Sequence, residues 1–287
     1  MTTLIIFNPV AGVRRRAIKQ RLQRALGDLK YEWVDTNAQG TYLEPYQPAD
    51  YERVVVIGGD GTVHEVAQWI LAAGATTTIG IVSAGSGNLL ARTLKLPRST
   101  GLALHVALTG TAQAMDVGLI NHGRYFLVAA GLGYDAWVIA RAKRSWKRLF
   151  GFGAYTLALL QGLLHLREEN FTLVVDGVRR QYHAKSIFIM NVGTFWGLPL
   201  APDTSAYDGQ GTVAVVRPVR WHDYVLMLGR IIGRQWHWEK RLEYHAFKKL
   251  KIEYNHRVPF QADGEAVTVK SPLEIDILPS KIFISTP

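Results

Sequence analysis

The stretch "VVVIGGDGTVHEVAQWIL", residues 54–71, decides the fold of this chain. An apolar run ends in two glycines, an aspartate, another glycine and a threonine, and a segment with helical spacing follows at once. Such a run is typical of a strand that is buried on both faces, as in a parallel sheet covered by helices. Asp60 therefore lies in a strand-to-helix turn between strongly apolar segments. A carboxylate at such a position suggests a functional role.

The same alternation of apolar runs and helix-period segments extends from residue 3 to about 108 and predicts an open α/β layer with parallel strands. Residues 14–29 have the pattern of a basic amphipathic helix. Between 36 and 52, prolines and a glycine predict a loop with at most one helical turn. Strands are expected at 3–9, 31–35, 53–59 and 78–84.

Beyond residue 110 the sequence pattern changes to short runs rich in Thr, Val, Ile and Phe, which are separated by turn residues. This pattern predicts an antiparallel β-sandwich. Helical segments at about 133–166 and 221–233 interrupt it. Asp176-Gly177, flanked by apolar strands, predicts a two-residue hairpin turn. We therefore expect two domains, 1–110 and 111–280, with a last strand at about 280–287 that can return to the first domain.

The charge balance points to an anionic partner. The 287 residues contain 33 Lys+Arg against 23 Asp+Glu, a net charge of +10, which favours nucleotide phosphate, nucleic acid or an acidic membrane surface. The absence of cysteine excludes disulfides and thiolate-bound zinc. No secretory signal is visible in "MTTLIIFNPVAG", and the apolar stretch 153–166 is too short to span a bilayer. We expect a cytoplasmic protein, soluble or peripheral at the inner face of the membrane.

Three glycine-bearing turns follow predicted strands, in "FNPVAG" (7–12), "GGDGT" (58–62) and "AGSGN" (84–88). Parallel strands bring such turns to one sheet edge, where open α/β sheets bind ligands. Glycines let a phosphate approach the N–H groups at a helix start. Thr62 with Glu65 predicts a capping box there. Any α/β protein needs glycines at such turns, but three on one edge favour a nucleotide polyphosphate. Neither the Walker pattern nor the G-x-G-x-x-G fingerprint is present.

An ordered set of motifs carries a more specific resemblance. It comprises "NPVAG", "GGDGTVHEV", "AGSGNLLAR", "MDVG", "AAGLGYDA", "LAPDTSAYDGQGTVAV" and "ADGEA", from Asn8 to about Glu265. This set resembles the diacylglycerol kinase catalytic-domain family, which includes bacterial lipid kinases and the sphingosine and ceramide kinase relatives. The resemblance implies a nucleotide-binding α/β domain of NAD kinase-like fold and a β-sandwich domain for a lipid substrate. It also implies ATP and Mg²⁺ as cofactors, and transfer of the γ-phosphate of ATP to the hydroxyl of diacylglycerol or a related long-chain lipid.

The resemblance assigns roles to individual residues. Asp263 becomes the general base and Glu265 a supporting or metal-linked acid, whereas Asp60, Asp116 and Asp208 are expected around the metal. Without the resemblance, Asp263-Gly264 favours an ordinary hairpin turn, and a strand-end cap would explain Asp116 almost as well. The expected nucleotide contacts are Asn8, Gly12, Gly58, Gly59, Asp60, Gly61, Thr62, Gly85, Ser86, Gly87, Asn88 and Arg92.

Two positions depart from the family pattern. Leu89 stands where many relatives carry an aspartate, which removes one carboxylate from the expected network. His64 stands where an asparagine is usual; we expect it on the helix surface rather than on a metal, because no second histidine lies at i+4.

Two segments, 140–164 and 230–241, interleave basic and aromatic residues. This mixture is typical of contact with an anionic membrane surface, and equally of a solvated basic helix that packs on the core. Nucleic acid is not expected as a partner, since no helix-turn-helix, zinc-finger or RNP signature occurs. The sequence leaves a homodimer open. The alternatives to a lipid kinase are an NAD kinase-like enzyme and a catalytically decayed nucleotide- or lipid-binding protein, for which Leu89 would be the sign.

Overall fold

The computed structural model describes residues 2–11, 26, 30–37, 41–85, 87–133, 136, 168–195, 198–201, 203–217 and 241–287. The chain divides into two compact units, Met1–Met115 with Ser280–Pro287, and Asp116–Pro279. The predicted helix 14–29 and the helical segments near 133–166 and 221–233 lie almost wholly outside the described residues.

The first unit is built on a parallel sheet. Its strands are β1 (Thr2–Phe7), β2 (Tyr31–Asp35), β3 (Tyr51–Gly58) and β4 (Thr78–Ser83). They are parallel neighbours in the order β2-β1-β3-β4, and residues 283–284 at the end of the last strand of the chain add a parallel partner to β4. Residues 4–6 and 54–57 are completely buried, which confirms the parallel sheet predicted from their continuous apolar runs.

Three described helices accompany this sheet, α1 (Asp60–Ala72), α2 (Leu89–Thr93) and α3 (Thr100–Thr109). Helix α3 lies directly against β4, because a Cβ on Gly80 would come within 2.4 Å of the carbonyl oxygen of Ala107. Among the described residues, none of the helices has the length and apolar character needed to cross a membrane. The described residues of 36–52 contain no α-helix, in agreement with the predicted loop, but two 3₁₀ turns, at Thr41–Leu43 and Pro48–Asp50, stand where at most one helical turn was predicted.

The start of α1 differs from the predicted capping box. The helix begins at Asp60, and Gly59 occupies the N-cap position without a side-chain hydrogen bond. Thr62 is buried in the first turn, where its hydroxyl accepts a hydrogen bond from Asn8. Glu65 accepts a hydrogen bond of 2.7 Å from the hydroxyl of Tyr42. The capping-box prediction was wrong because tertiary partners engage both side chains.

The second unit consists of antiparallel strands. The strands are β5 (Thr111–Ile120), which enters from the first unit, β6 (Arg124–Phe126), β7 (Ala129–Gly133), β8 (Glu169–Val175), β9 (Val178–Ala184), β10 (Ser186–Met190), β11 (Thr194–Phe195), β12 (Leu198–Pro199), β13 (Gly211–Val216), β14 (Leu242–Phe247), β15 (Lys249–Tyr254), β16 (Phe260–Ala262), β17 (Glu265–Val267) and β18 (Leu273–Thr286). One sheet has the order β14-β13-β10-β7-β16-β17. In the other sheet β9, β8 and β15 lie side by side, followed by the first part of β18.

Both sheets contribute apolar side chains to one core, in which Phe126, Phe171 and Phe247 are the largest fully buried residues. The predicted antiparallel sandwich is therefore confirmed. The predicted hairpin is confirmed as well, because Asp176 and Gly177 join β8 to β9 with positive φ angles of 47° and 88°. The Asp176 carboxylate accepts hydrogen bonds from the backbone N–H groups of Lys248 and Lys249, which fixes the turn to a neighbouring segment.

Candidate functional site

The three turns that follow β1, β3 and β4 lie side by side at the carboxyl edge of the parallel sheet. The backbone N–H of Asn8 donates to the carbonyl of Ile57 at 2.9 Å, and that of Ala84 donates to the carbonyl of Gly58 at 2.8 Å. This arrangement follows from the strand order, since β3 lies between β1 and β4. The structure thus brings together predicted site residues from three separate parts of the sequence.

The two glycine turns touch each other through their backbones. A methyl group on Gly85 would lie 2.7 Å from the Cα of Gly59, and one on Gly59 would lie 3.3 Å from the Cα of Gly85. Carbon atoms at their optimal separation are about 3.5–4.0 Å apart, so an alanine at position 85 would force the turns away from each other. Glycine is required here for loop packing as well as for the approach of a ligand.

Asp60 connects the same two turns through its side chain. It is the first residue of α1, and its Oδ1 accepts a hydrogen bond from the backbone N–H of Leu89, the first residue of α2. The side chain of Leu89 points into the core and is 5% exposed. The departure from the family pattern at this position therefore leaves the backbone contact to Asp60 in place.

Two asparagines shape the turns. Asn8 donates from Nδ2 to the hydroxyl of Thr62 at 2.7 Å, and its Oδ1 accepts from the N–H of Val10. Asn88 adopts the left-handed conformation with φ 51° and ψ 50°. Its Oδ1 accepts from the N–H of Gly85 at 3.1 Å and its Nδ2 donates to the carbonyl of Gly85 at 2.8 Å. Both side chains therefore fix the loops that would surround a ligand.

A cleft of about 430 Å³ opens beside the second glycine turn. Its lining includes three cationic side chains, Arg92, Lys95 and Arg98, and no carboxylate among the described residues. The remaining lining residues are Ser83, Asn88, Ala91, Leu96 and Pro97. Sequence reasoning predicted Arg92 and missed Lys95 and Arg98, although the basic residues recur every three positions in "ARTLKLPR" directly after the turn.

The other predicted nucleotide contacts have different placements. Gly61 is exposed in the first turn of α1, and Gly87 is half-buried between Gly85 and Asn88. Gly12 and Ser86 lie outside the described residues. His64 is buried, with 6% of its surface exposed, so the prediction of a helix-surface residue was wrong. Its position in α1 faces the core together with Val63 and Ala67.

In the second unit, Asp263 and Gly264 form the two-residue turn between β16 and β17, with φ angles of 48° and 84°. The hairpin alternative is therefore correct for the backbone. The carboxylate does more than cap this turn, because it accepts three backbone hydrogen bonds at 2.6, 2.9 and 3.0 Å. The donors are the N–H groups of Leu127, Val128 and Ala129, so Asp263 holds the chain that leads into β7. Its role as general base stays a prediction.

Glu265 lies just beyond this turn and is exposed. Its Oε2 accepts a hydrogen bond of 2.7 Å from Arg124, an ion pair that sequence reasoning missed. Because the partner lies 141 positions away in the sequence, no local signal could have indicated it.

Asp116 is buried, with only 1% of its surface exposed. Its Oδ2 accepts a hydrogen bond of 2.6 Å from the N–H of Gly209, and its own N–H donates to the carbonyl of Ala206. Partial burial and the charge of Asp116 raise the pKa of Tyr207 in the same loop. Asp208 is exposed and accepts from the N–H of Gln210, two positions further on. Asp116 therefore anchors the loop 206–209.

The predicted metal ligands do not form a protein-only site. Within the part of the chain that the structure describes, no three His, Cys, Asp or Glu side chains come together as metal ligands. Asp60 belongs to the first unit, whereas Asp116 and Asp208 belong to the second. Asp60, Asp116 and Asp263 instead each accept a hydrogen bond from at least one backbone N–H group.

Comparison with known families covers nearly the whole chain. Residues 2–120 match the family described as "Diacylglycerol kinase catalytic domain", and residues 128–286 match the "YegS C-terminal NAD kinase beta sandwich-like domain". The border between the two matches lies between β5 and β7 of the structure.

Individual relatives agree with these matches. The chain is 24% identical over 271 residues to a protein of Bacillus subtilis named diacylglycerol kinase, covering 91% of this chain and 88% of the relative. It is 26% identical over 274 residues to the diacylglycerol kinase of Staphylococcus carnosus, covering 91% and 87%. A crystal structure of a diacylglycerol kinase from Bacillus anthracis, Sterne strain, superimposes with a TM-score of 0.81 at 22% identity, covering 100% of this chain and 97% of that one, and has the same fold.

Proposed function

Because the chain belongs to the diacylglycerol kinase catalytic-domain family, we propose that it transfers the γ-phosphate of ATP to the hydroxyl of diacylglycerol or a related long-chain lipid. One observation carries the nucleotide half of this proposal. Two glycine turns are in backbone contact at the carboxyl edge of a parallel sheet, directly beside a cleft with three cations. Open α/β sheets bind ligands at this edge, and helix N-termini favour phosphates.

The charges around the second glycine turn suit a polyphosphate. Arg92, Lys95 and Arg98 supply positive charge without a carboxylate in the cleft to oppose it. Gly59 and Gly61 flank Asp60 without side chains of their own, so that the first N–H groups of α1 can approach phosphate oxygens. We assign the phosphates of ATP to this edge, where the loop geometry is fixed by Asn88 and by the Asp60 bond to Leu89.

Phosphoryl transfer depends mainly on position and on charge neutralisation. The lipid hydroxyl forms a bond to the γ-phosphorus while the bond between that phosphorus and the β,γ-bridging oxygen breaks. The hydroxyl proton passes to a carboxylate, and we assign this role to Asp263, held in one orientation by three backbone N–H groups. Glu265 and Arg124 lie next to it as an ion pair, and we assign them a supporting role in charge balance. ADP and a lipid phosphate are the products.

Magnesium belongs to this proposal as part of the substrate. The described residues do not form a metal site of their own, but Mg²⁺ commonly binds through substrate phosphates, water and one or two carboxylates. Asp60, at the start of α1, is the carboxylate that we assign to such a complex, since it would otherwise repel the phosphates. When bound with ATP, the ion would neutralise part of the phosphate charge.

The family and the sequence support the proposed acceptor and place of action. A water-insoluble hydroxyl must be reached at a membrane, and segments 140–164 and 230–241 combine the basic and aromatic residues that bind anionic bilayer surfaces. Both segments lie almost entirely outside the described residues. We therefore propose peripheral contact with the inner face of the membrane as part of the catalytic cycle.

The test is a transfer assay with γ-labelled ATP and parallel acceptors. Diacylglycerol, ceramide and sphingosine are offered in mixed micelles, and NAD is offered in solution. We expect label in a lipid, with diacylglycerol the leading acceptor. Label in NAD alone would favour an NAD kinase-like enzyme, to which the sandwich domain is related by description. Intact ATP binding with no transfer to any acceptor would favour a decayed binding protein and would contradict the kinase proposal.

A further inference from the structure

A second polar cleft lies within the second unit, away from the Asp263 turn. It has a volume of about 410 Å³ and is lined by Arg180, Gln181, Tyr182, His183, Arg217 and Glu243. Strands β9 and β14 each stand at the end of their own sheet, and the cleft opens between these two edges of the sandwich. None of these residues has a role in the function proposed above.

Glu243 is the only carboxylate in the described lining, and its oxygens are fully engaged. Oε1 accepts from the hydroxyl of Tyr182 at 2.8 Å and lies 3.0 Å from Nε2 of His245, while Oε2 pairs with Arg217. Partial burial raises the pKa of Glu243, but the hydrogen bonds and the charge of Arg217 outweigh it and hold the pKa below its usual range. The carboxylate is therefore ionised and bound to its own partners, which leaves it little capacity to compensate another cation.

Arg180 is the cation that this network leaves without a counter-charge. Its guanidinium lies 2.7 Å from Nδ1 of His245. The same guanidinium nitrogen lies 3.2 Å from Nε2 of His245, so the partner of Arg180 in this network is an imidazole ring and not a carboxylate. Among the described carboxylates, none forms an ion pair with Arg180, although its neighbour Arg179 pairs with Glu253 at 2.9 Å. The guanidinium of Arg180 is thus positioned by an imidazole ring while it stays exposed to solvent.

Two positioned guanidinium groups at one cleft match the chemistry of a phosphate group. Guanidinium forks bind phosphate oxygens through paired, charge-assisted hydrogen bonds, and they are less strongly hydrated than ammonium groups. Tyr182 and Gln181 add neutral polar groups to the same lining.

The position of the cleft favours a lipid source for that phosphate. The backbone N–H of Arg217 donates to the carbonyl of Arg241 at 3.0 Å, so the chain leaves for residues 218–240 and returns from them beside the cleft. The sequence of that segment contains Trp221, Trp236 and Trp238 together with several arginines. Tryptophan and arginine are enriched where proteins meet the membrane interface.

We propose that this cleft binds the phosphate of an anionic phospholipid headgroup through Arg180 and Arg217. The inference rests on the membrane contact in the proposed function, but it concerns attachment to the bilayer and not the transfer reaction. The ligand class is a phospholipid with net negative charge, such as phosphatidylglycerol, and not the uncharged acceptor.

The test measures binding of the full chain to vesicles without ATP, so that a loss of kinase activity cannot affect it. Vesicles of phosphatidylcholine with and without phosphatidylglycerol are sedimented with wild type, Arg180→Gln and Arg179→Gln. We expect wild type to require phosphatidylglycerol and Arg180→Gln to bind about fivefold more weakly, the effect of one cation near an anionic surface. Arg179→Gln is the matched control, because it removes the same charge at the next position of β9, where alternate side chains face opposite sides.

Equal affinities for the two variants would overturn the proposal, since net charge alone would then explain binding. Titration with inorganic phosphate tests whether the cleft binds a soluble phosphate instead of a lipid headgroup. Saturable phosphate binding that Arg180→Gln abolishes, together with unchanged vesicle binding, would assign the cleft to a soluble phosphate and overturn the lipid assignment. Thermal unfolding of both variants at the wild-type midpoint confirms that the fold is intact, as expected for exposed positions.

Discussion

Replacement of Gly85 by alanine is expected to lower kcat/KM for ATP by about 100-fold, the effect of a misplacement of roughly 1 Å in a catalytic site. The added methyl group would lie 2.7 Å from the Cα of Gly59 and 3.0 Å from Oδ1 of Asn88. Backbone atoms cannot yield as a flexible side chain can, so the two glycine turns must separate. The separation would also strain the bond between Asp60 and Leu89 that joins the same turns.

The accompanying loss of stability should be moderate, about 1–3 kcal/mol, as for other overpacked sites. Gly101→Ala is the matched control, because Gly101 lies in the first turn of α3 with no atom within 4 Å of the added methyl group. This control should retain wild-type kcat/KM and gain about 0.4–1 kcal/mol of stability. Steady-state kinetics and thermal unfolding of both variants check the prediction. A Gly85→Ala enzyme with wild-type kcat/KM would contradict the placement of ATP at these turns.

Asp263→Asn is expected to reduce kcat by about 10³-fold, within the range that general bases contribute. ATP affinity should stay close to that of wild type, because the assigned nucleotide contacts belong to the first unit. The variant should also be less stable by about 1–3 kcal/mol, the cost of a buried N–H group without an acceptor. An amide supplies one acceptor oxygen and one NH₂ group, whereas both oxygens of Asp263 accept bonds from Leu127, Val128 and Ala129.

Asp176→Asn separates the two effects of that substitution. Asp176 occupies the same kind of two-residue Asp-Gly turn, with a similar positive φ, and its carboxylate also accepts backbone N–H groups. The control should lose less stability, because the backbone bonds of Asp176 are exposed to solvent, and its kcat, measured well below the unfolding midpoint, should stay unchanged. Asp263 would be a turn residue and not a base if the two variants had the same kcat.

The sequence predicts those parts of the fold that depend on local periodicity. The apolar run 54–57, which ends in glycines, indicates a buried strand, and the Asp176-Gly177 pair between apolar runs indicates a tight turn. Three glycine turns at one sheet edge also follow from parallel strands. Their order in space and the contact between Gly59 and Gly85 require pairing between distant segments, which no local pattern encodes.

Hydrogen bonds between residues that are far apart in the sequence account for the site features that the sequence did not predict. Thr62 and Glu65 fit the capping-box pattern, but Asn8 and Tyr42 engage them instead, so the pattern alone was misleading. The Asp263 carboxylate accepts hydrogen bonds from residues about 135 positions earlier in the sequence. This structural role could not be predicted, because the local sequence is that of an ordinary turn. Asp60 has a structural role as well as the one proposed, since it joins two helix starts 29 positions apart.

A kinase that transfers the γ-phosphate of ATP to a lipid hydroxyl must form a phosphorylated lipid, and identification of this product tests the proposed activity. The purified full-length protein is incubated with γ-¹⁸O-labelled ATP and a total extract of membrane lipids, and the lipids are then analysed by mass spectrometry. With wild-type protein we expect a lipid that has gained one labelled phosphate, in an amount equal to the ADP released, and we expect no such lipid with Asp263→Asn. ADP release without any labelled lipid, or labelled lipid from Asp263→Asn at the wild-type rate, would contradict it.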